Sequence, residues 1–394
     1  MKILHLLKTS SGGDWAAKEV TELVKLGLEI HVVLPSTMGS TMSLWQISGA
    51  HIHYAEIDFP VRAPWQLFKR LKKLRNLVQQ IQPNLIHSHF FGTTILARLA
   101  FGKKHGIPRI FQVPGPLHLE NRFFRLWDIG SAGSADYWIA SSDYIQKIYL
   151  RAGVLPSRVF RSYYGIYLPE IPASEPTPIE NEENKNFRLH DLLEVPRTSI
   201  LVGNVSHIYP PKFYLGQRTG VKCHEDLIDS LSEVVKQDSR VIGVLIGGGW
   251  QGKLGYEQQL RQRAQKKAGT RIRMLGFIEN ANELWRDFDL AIHVPRSENC
   301  GGVVEPLLVR VPVIAANIGG LPEVIEDGKT GYLVPTRNPK ALTQKIIATI
   351  RNLDLARRSA LEGRRRVYEL FDIRKTSKQV VDIYEQILSS GWVK

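Results

Sequence analysis

Two carboxylates and two glycines crowd the segment Ser297-Glu298-Asn299-Cys300-Gly301-Gly302-Val303-Val304-Glu305. Glycine backbone leading into a helix presents N–H groups with no side chains over them, an arrangement suited to a pyrophosphate. An ionised carboxylate only accepts hydrogen bonds, so Glu298 and Glu305 suit a ligand rich in hydroxyls, such as a sugar. Asn299, Cys300 and Val303 complete the loop, and Pro306 is tolerable in a first helical turn, whose N–H groups are unpaired anyway. Taken alone, the same residues also fit an ordinary strand-to-helix turn with two solvated acids.

Metal chemistry has two weaker candidates. Asp287-Phe288-Asp289 has an Asp-x-Asp pattern, but it sits at a helix end before a strand, where acids are expected to face solvent. His87 and His89 share one face of a strand, with no third ligand in view. The expectation is therefore no metal and no cofactor.

These residues need a frame to position them. Ile3–Leu7 reads as a strand, Trp15–Lys25 as a helix and Glu29–Leu34 as a second strand, with Gly12-Gly13 in the turn between the first two. That is a βαβ unit, the element of a parallel sheet. Asn84–His87, Arg109–Val113 and Tyr137–Ala140 continue the series. A stretch with Pro169, Pro172, Pro176 and Pro178 among acids reads as a linker. The alternation then restarts with Ser199–Val205, Glu225–Lys236, Arg240–Ile246, Ile272–Leu275, Leu290–Val294 and Val313–Ala315. The expected organisation is an α/β chain with a Rossmann-like domain at 1–170, a linker at 171–190 and a second such domain at 191–375. The amphipathic segment 376–394 packs on its own domain or returns to the first. A cleft between the two sheets is the expected ligand site.

Composition narrows the function. The chain has 394 residues, enough for two domains, and no apolar run nears the roughly 18 residues of a membrane span. Two distant cysteines, Cys223 and Cys300, argue for a reducing, cytoplasmic setting. A net charge of +14 suits nucleic acid, an anionic membrane or phosphate-bearing small molecules. Without zinc-finger spacing or a glycine-aromatic RNP motif, nucleic acid is not expected as a partner. The basic run Lys69-Arg70-Leu71-Lys72-Lys73-Leu74-Arg75 places Leu67, Leu71 and Leu74 on one helical face. It reads as a solvated surface helix or as one lying on an anionic inner leaflet.

From Glu305 to Val334 the chain resembles the retaining family-4 glycosyltransferases of GT-B fold. The resemblance is carried by Glu305-Pro306, Val311-Pro312-Val313-Ile314-Ala315, Ile318-Gly319-Gly320-Leu321-Pro322-Glu323 and Asp327-Gly328-Lys329-Thr330-Gly331-Tyr332-Leu333-Val334. It implies two Rossmann-like domains facing each other across a cleft, and hexose transfer, with retention, from a nucleotide diphosphate sugar. UDP and glucose are the commonest choices in the family, and the implied acceptor is a polysaccharide or a lipid-linked glycan. Glu305 would bind the ribose and Glu298 the transferred sugar, with the amides of Gly301, Gly302 and Val303 at hydroxyls and phosphates. Six residues separate Glu298 from Glu305 where the family has seven, so Ser297 competes with Glu298 for the first carboxylate position. In relatives an arginine and a lysine after the second domain's first strand neutralise the pyrophosphate. Lys222, in Gly220-Val221-Lys222-Cys223-His224-Glu225, matches the lysine, and with the arginine absent the second cation is open between Arg218 and Lys212. The resemblance also gives Gly12-Gly13 a close approach to donor or acceptor. It makes His118, in Pro114-Gly115-Pro116-Leu117-His118, a candidate for the donor sugar, shifted in register because Pro114 fills the usual place. Sugar-nucleotide 2-epimerases share this fold and are the rival reading; a non-catalytic binder of anionic surfaces is the second.

Overall fold

The computed structural model describes residues 1–103, 106–169, 187–212, 216–252 and 254–389. It divides into two compact units, one formed by Met1–Pro169 with Leu370–Lys394, the other by Glu170–Glu369. Most of the expected linker, 171–190, lies outside the described residues, and Arg188–Leu193 at its end is helical.

The first unit is a seven-stranded parallel sheet: β1 (Lys2–Leu6), β2 (Glu29–Leu34), β3 (His51–Tyr54), β4 (Leu85–Ser88), β5 (Arg109–Val113), β6 (Asp136–Ala140) and β7 (Val159–Arg161), in the order β3-β2-β1-β4-β5-β6-β7. Strands β1, β4 and β5 are almost wholly buried, as expected where helices cover both faces of a parallel sheet. One face packs on Asp14–Lys25 and on the last helix, Ile373–Ser389, whose Val380, Ile383, Tyr384 and Ile387 join Ile3, Val20 and Leu23 in one core cluster. The other face carries Leu67–Ile81, which buries Leu71, Leu74, Leu77, Val78 and Ile81.

The second unit holds β8 (Ile200–Val205), β9 (Val241–Ile246), β10 (Ile272–Gly276), β11 (Leu290–His293), β12 (Val313–Ala316) and β13 (Tyr332–Val334), again all parallel, in the order β10-β9-β8-β11-β12-β13. In each sheet the chain steps outward from its first strand and then crosses to that strand's other side. The carboxyl ends of β1 and β4, and of β8 and β11, are therefore the topological switch points where such sheets bind ligands. Among the described residues no helix is long and apolar enough to cross a membrane.

Candidate functional site

The two loops at the second switch point hold the charged residues. After β8 the chain runs through His207 and Tyr209 to Lys222 and enters the helix His224–Gln237. After β11 it runs from Val294 through Glu298 to a 3-10 turn, Gly301–Val303, and the short helix Val304–Leu308. A backbone bond from Arg296 N to Val221 O, 2.9 Å, fastens one loop to the other. Cys223, next to Lys222, is held in the left-handed region at φ +51°, a conformation that costs a non-glycine residue about 1–2 kcal/mol. The preceding turn is clamped because Gly220 N donates to Tyr256 Oη at 2.9 Å, and that hydroxyl donates to Glu225.

The outcome is one clamped carboxylate. Lys222 Nζ donates to Glu298 Oε2, His293 Nε2 lies 3.0 Å from the same oxygen, and Asn299 N donates to Oε1 at 3.1 Å. Burial alone would push the Glu298 carboxyl up, but Lys222 and His293 hold it well below the usual carboxylate range, so it is ionised. Burial lowers the His293 imidazole, with Glu298 opposing. Tyr209 feels the same carboxylate: burial, with the Glu298 charge, raises its phenol to about 12. Glycines make room for this arrangement. A Cβ on Gly302 would overlap His293 Nε2, and one on Gly319 would overlap the Glu298 carbonyl oxygen. The Ile318-Gly319-Gly320 segment thus serves as the floor on which the Glu298 loop rests.

Of the expected donor-binding residues, the second unit brings together Lys222, Glu298, Asn299, Cys300, Gly301, Gly302, Val303 and Glu305. Glu305 is exposed, and its Oε2 accepts from Trp285 Nε1 at 3.3 Å. Cys300 is buried against Gly320 O. Ser297 is buried, whereas the Glu298 side chain keeps 16% exposure. Arg218 is exposed and Lys212 half-buried. His293 was missed, although a histidine ending a buried strand just before a glycine loop is a readable signal.

The other expected residues lie in the first unit. Gly12 and Gly13, at φ +77° and +78°, shape the turn between β1 and the helix Asp14–Lys25, where a residue with a Cβ would be strained. His118 is in a short helix after β5 with Nε2 3.4 Å from Asp128 Oδ2 and its ring against Phe91 and Phe111. Asp128 is itself fully buried and also bonded to Arg98, Trp138 and Tyr149. That places His118 at the rim of a buried ionic cluster.

Both metal candidates need correction. Asp287 and Asp289 do not face solvent: they are buried and accept from the amides of Leu189 and Leu201, at 2.8 and 2.9 Å, which makes them braces for the backbone. His87 and His89 do have a third partner. The parallel register of β1 and β4 sets His5 opposite His87, and His5 Nδ1 is 2.8 Å from His89 Nε2.

Comparison with known proteins gives this geometry a family. Residues 16–168 match the model "Glycosyltransferase Family 4" and residues 211–366 match "Glycosyl transferases group 1". An N-acetyl-alpha-D-glucosaminyl L-malate synthase of Bacillus anthracis is 28% identical over 43% of either chain, so that match spans less than half of the relative's length. A putative glycosyltransferase, EpsD, of Bacillus subtilis is 23% identical over 79% of each chain. Among solved structures, HepE of Anabaena in complex with UDP superposes with a TM-score of 0.77, covering 99% of this chain and 100% of that one at 21% identity. Two parallel-sheet Rossmann-like units in one chain, with this similarity to HepE, define the GT-B fold. The chain belongs to the family-4-like glycosyltransferases of GT-B fold.

Proposed function

We propose that this protein transfers a hexosyl group from a nucleotide diphosphate sugar to a hydroxyl of a polysaccharide or lipid-linked glycan, with retention at the anomeric carbon. The observation that carries the reading is the ionised Glu298, held by Lys222 and His293 at the carboxyl ends of β8 and β11. An acceptor-only group fixed there suits sugar hydroxyls. Lys222 places one positive charge where a diphosphate departs, with Arg218 or Lys212 as the second, so no metal is required in the chemistry. The amides of Gly301, Gly302 and Val303 meet phosphate and hydroxyl oxygens, and Glu305 takes the ribose. UDP and glucose are the proposed donor parts, supported by the similarity to HepE, which was solved with UDP and with UDP-glucose.

A lipid-linked acceptor draws support from a surface of the first unit. Val61, Trp65 and Phe68 are 78%, 75% and 81% exposed, beside exposed Arg62, Lys69, Lys72 and Lys73. Aromatic side chains among cations suit the interface of an anionic inner leaflet. Co-sedimentation with vesicles rich in phosphatidylglycerol tests this; binding unchanged in a Trp65→Ser/Phe68→Ser variant would remove the surface from the proposal.

Incubation with a panel of nucleotide sugars, with and without a lipid-phosphate glycan, tests the reaction. UDP release that depends on acceptor is the expected result. An epimerised nucleotide sugar without acceptor would replace transfer by isomerisation, and inertness with salt-sensitive binding to DNA would end the enzymatic reading.

A further inference from the structure

The switch point of the first unit holds three histidines, His5, His87 and His89, all without solvent exposure. His5 comes from β1, His87 from β4, and His89 lies one residue past β4, on the face it shares with His87. One ring nitrogen from each lies within 4.8 Å of the others. Two neighbouring phenols indicate which nitrogens face inward. Tyr384 Oη is 2.5 Å from His87 Nδ1, and Tyr164 Oη is 3.0 Å from His89 Nδ1. The longer contact of Tyr384 Oη, 3.4 Å, is with His5 Nε2. That leaves His5 Nδ1 and His89 Nε2 facing each other, and His87 Nε2 buried beside the Gln112 side chain without a well-formed hydrogen bond.

We propose that His5 Nδ1, His87 Nε2 and His89 Nε2 bind one divalent transition-metal ion of the zinc class through three imidazoles, its fourth position left to a small ligand such as water. Two histidines at alternate positions of one strand with a third from its neighbour form a three-nitrogen face of the kind zinc takes. Ligating histidines characteristically engage a partner through the other ring nitrogen, which fixes tautomer and orientation; Tyr384 and Tyr164 stand in those places. His87 Nε2, which has only the loose approach of Gln112, gains from a metal a bond that it lacks in the hydrogen-bonded cluster, and a poorly satisfied buried polar atom is costly. At Zn–N distances of about 2.0–2.1 Å, the facing nitrogens of His5 and His89 need to open by only about half an ångström. Glu19, 1% exposed and bonded to Gln112 at 2.9 Å, is pushed up to about 8 by burial, so it offsets charge at the site only by giving up its proton. Because Tyr384 belongs to the last helix, the ion would fasten that helix to β1 and β4.

The full chain, refolded with zinc and dialysed against buffer without metal, provides the test. Elemental analysis is expected to find about one zinc per chain. X-ray absorption at the zinc edge should show three imidazole ligands and no sulfur. His5→Gln, His87→Gln and His89→Gln should each weaken retention at least tenfold, and Tyr384→Phe about tenfold through His87 orientation. Histidines His31 and His53, 2.9 Å apart on β2 and β3, serve as the control, and their Gln variants should retain zinc fully. Background zinc in the wild type, fewer than three imidazoles in its absorption spectrum, or loss of zinc in His31→Gln or His53→Gln would overturn the proposal. The absorption measurement needs no substitution, so it decides even where a core variant fails to fold.

Discussion

The two units build the same device and fill it with opposite chemistry. In each, the first strand and the strand that crosses to its other side end side by side. In the second unit that place holds an ionised carboxylate, a lysine and glycine backbone, partly open to solvent. In the first unit it holds three imidazoles and two phenols, sealed by the last helix. Burial lowers His5 to about 3 and keeps its imidazole neutral, whereas at Glu298 burial is overcome by Lys222 and His293. Topology supplies a position for polar groups; the loops decide whether it faces a ligand or becomes core.

The contrast can be broken by substitution. The largest effect is expected from Glu298→Gln, which should lower kcat on the order of 10²–10³-fold while leaving the UDP affinity nearly unchanged. If Ser297→Ala does this instead, the sugar-binding position lies one residue earlier. Gly302→Ala comes next: its methyl displaces the His293 ring from Glu298, and kcat should fall about tenfold or more, with an unchanged circular dichroism spectrum. Glu305→Ala should weaken UDP binding by about 1–2 kcal/mol by calorimetry, and an unchanged affinity would remove its ribose role.

The smallest effect concerns pH. Burial lowers His224 from 6.5 to about 3, so below pH 6.5 the unfolded chain binds a proton that the folded one refuses. Its contribution is whole above pH 6.5 and declines by up to about 1.4 kcal/mol per pH unit as pH falls toward 3. Between pH 7 and pH 6, denaturant melts should show the wild type losing about 0.7 kcal/mol more than His224→Gln.

Much of this was legible beforehand. Strands such as Arg240–Ile246 and Leu290–Val294 lie within a residue or so of β9 and β11, because apolar runs closed by a breaker, Gly247 and Pro295, permit few alternatives. The Glu298 loop could be read because its residues are contiguous. The bond from Lys222 to Glu298 joins residues 76 apart, and no local pattern encodes it. The third histidine was hidden for the same reason: His5 meets His87 only through the register of two strands, which periodicity leaves open. Asp287 and Asp289 misled in the other direction, since acids at a helix end become buried when backbone amides need acceptors.

The last helix has a consequence for biosynthesis. Tyr384 and His87 are 297 residues apart, with the entire second unit between them. On a translating ribosome, the sheet that begins at Lys2 therefore waits, one face covered only in part by the helix Asp14–Lys25, until the intervening unit has emerged. The second unit, contiguous in the chain, can finish folding first. Synthesis runs from one end to the other, but the order of completion is from the inside out.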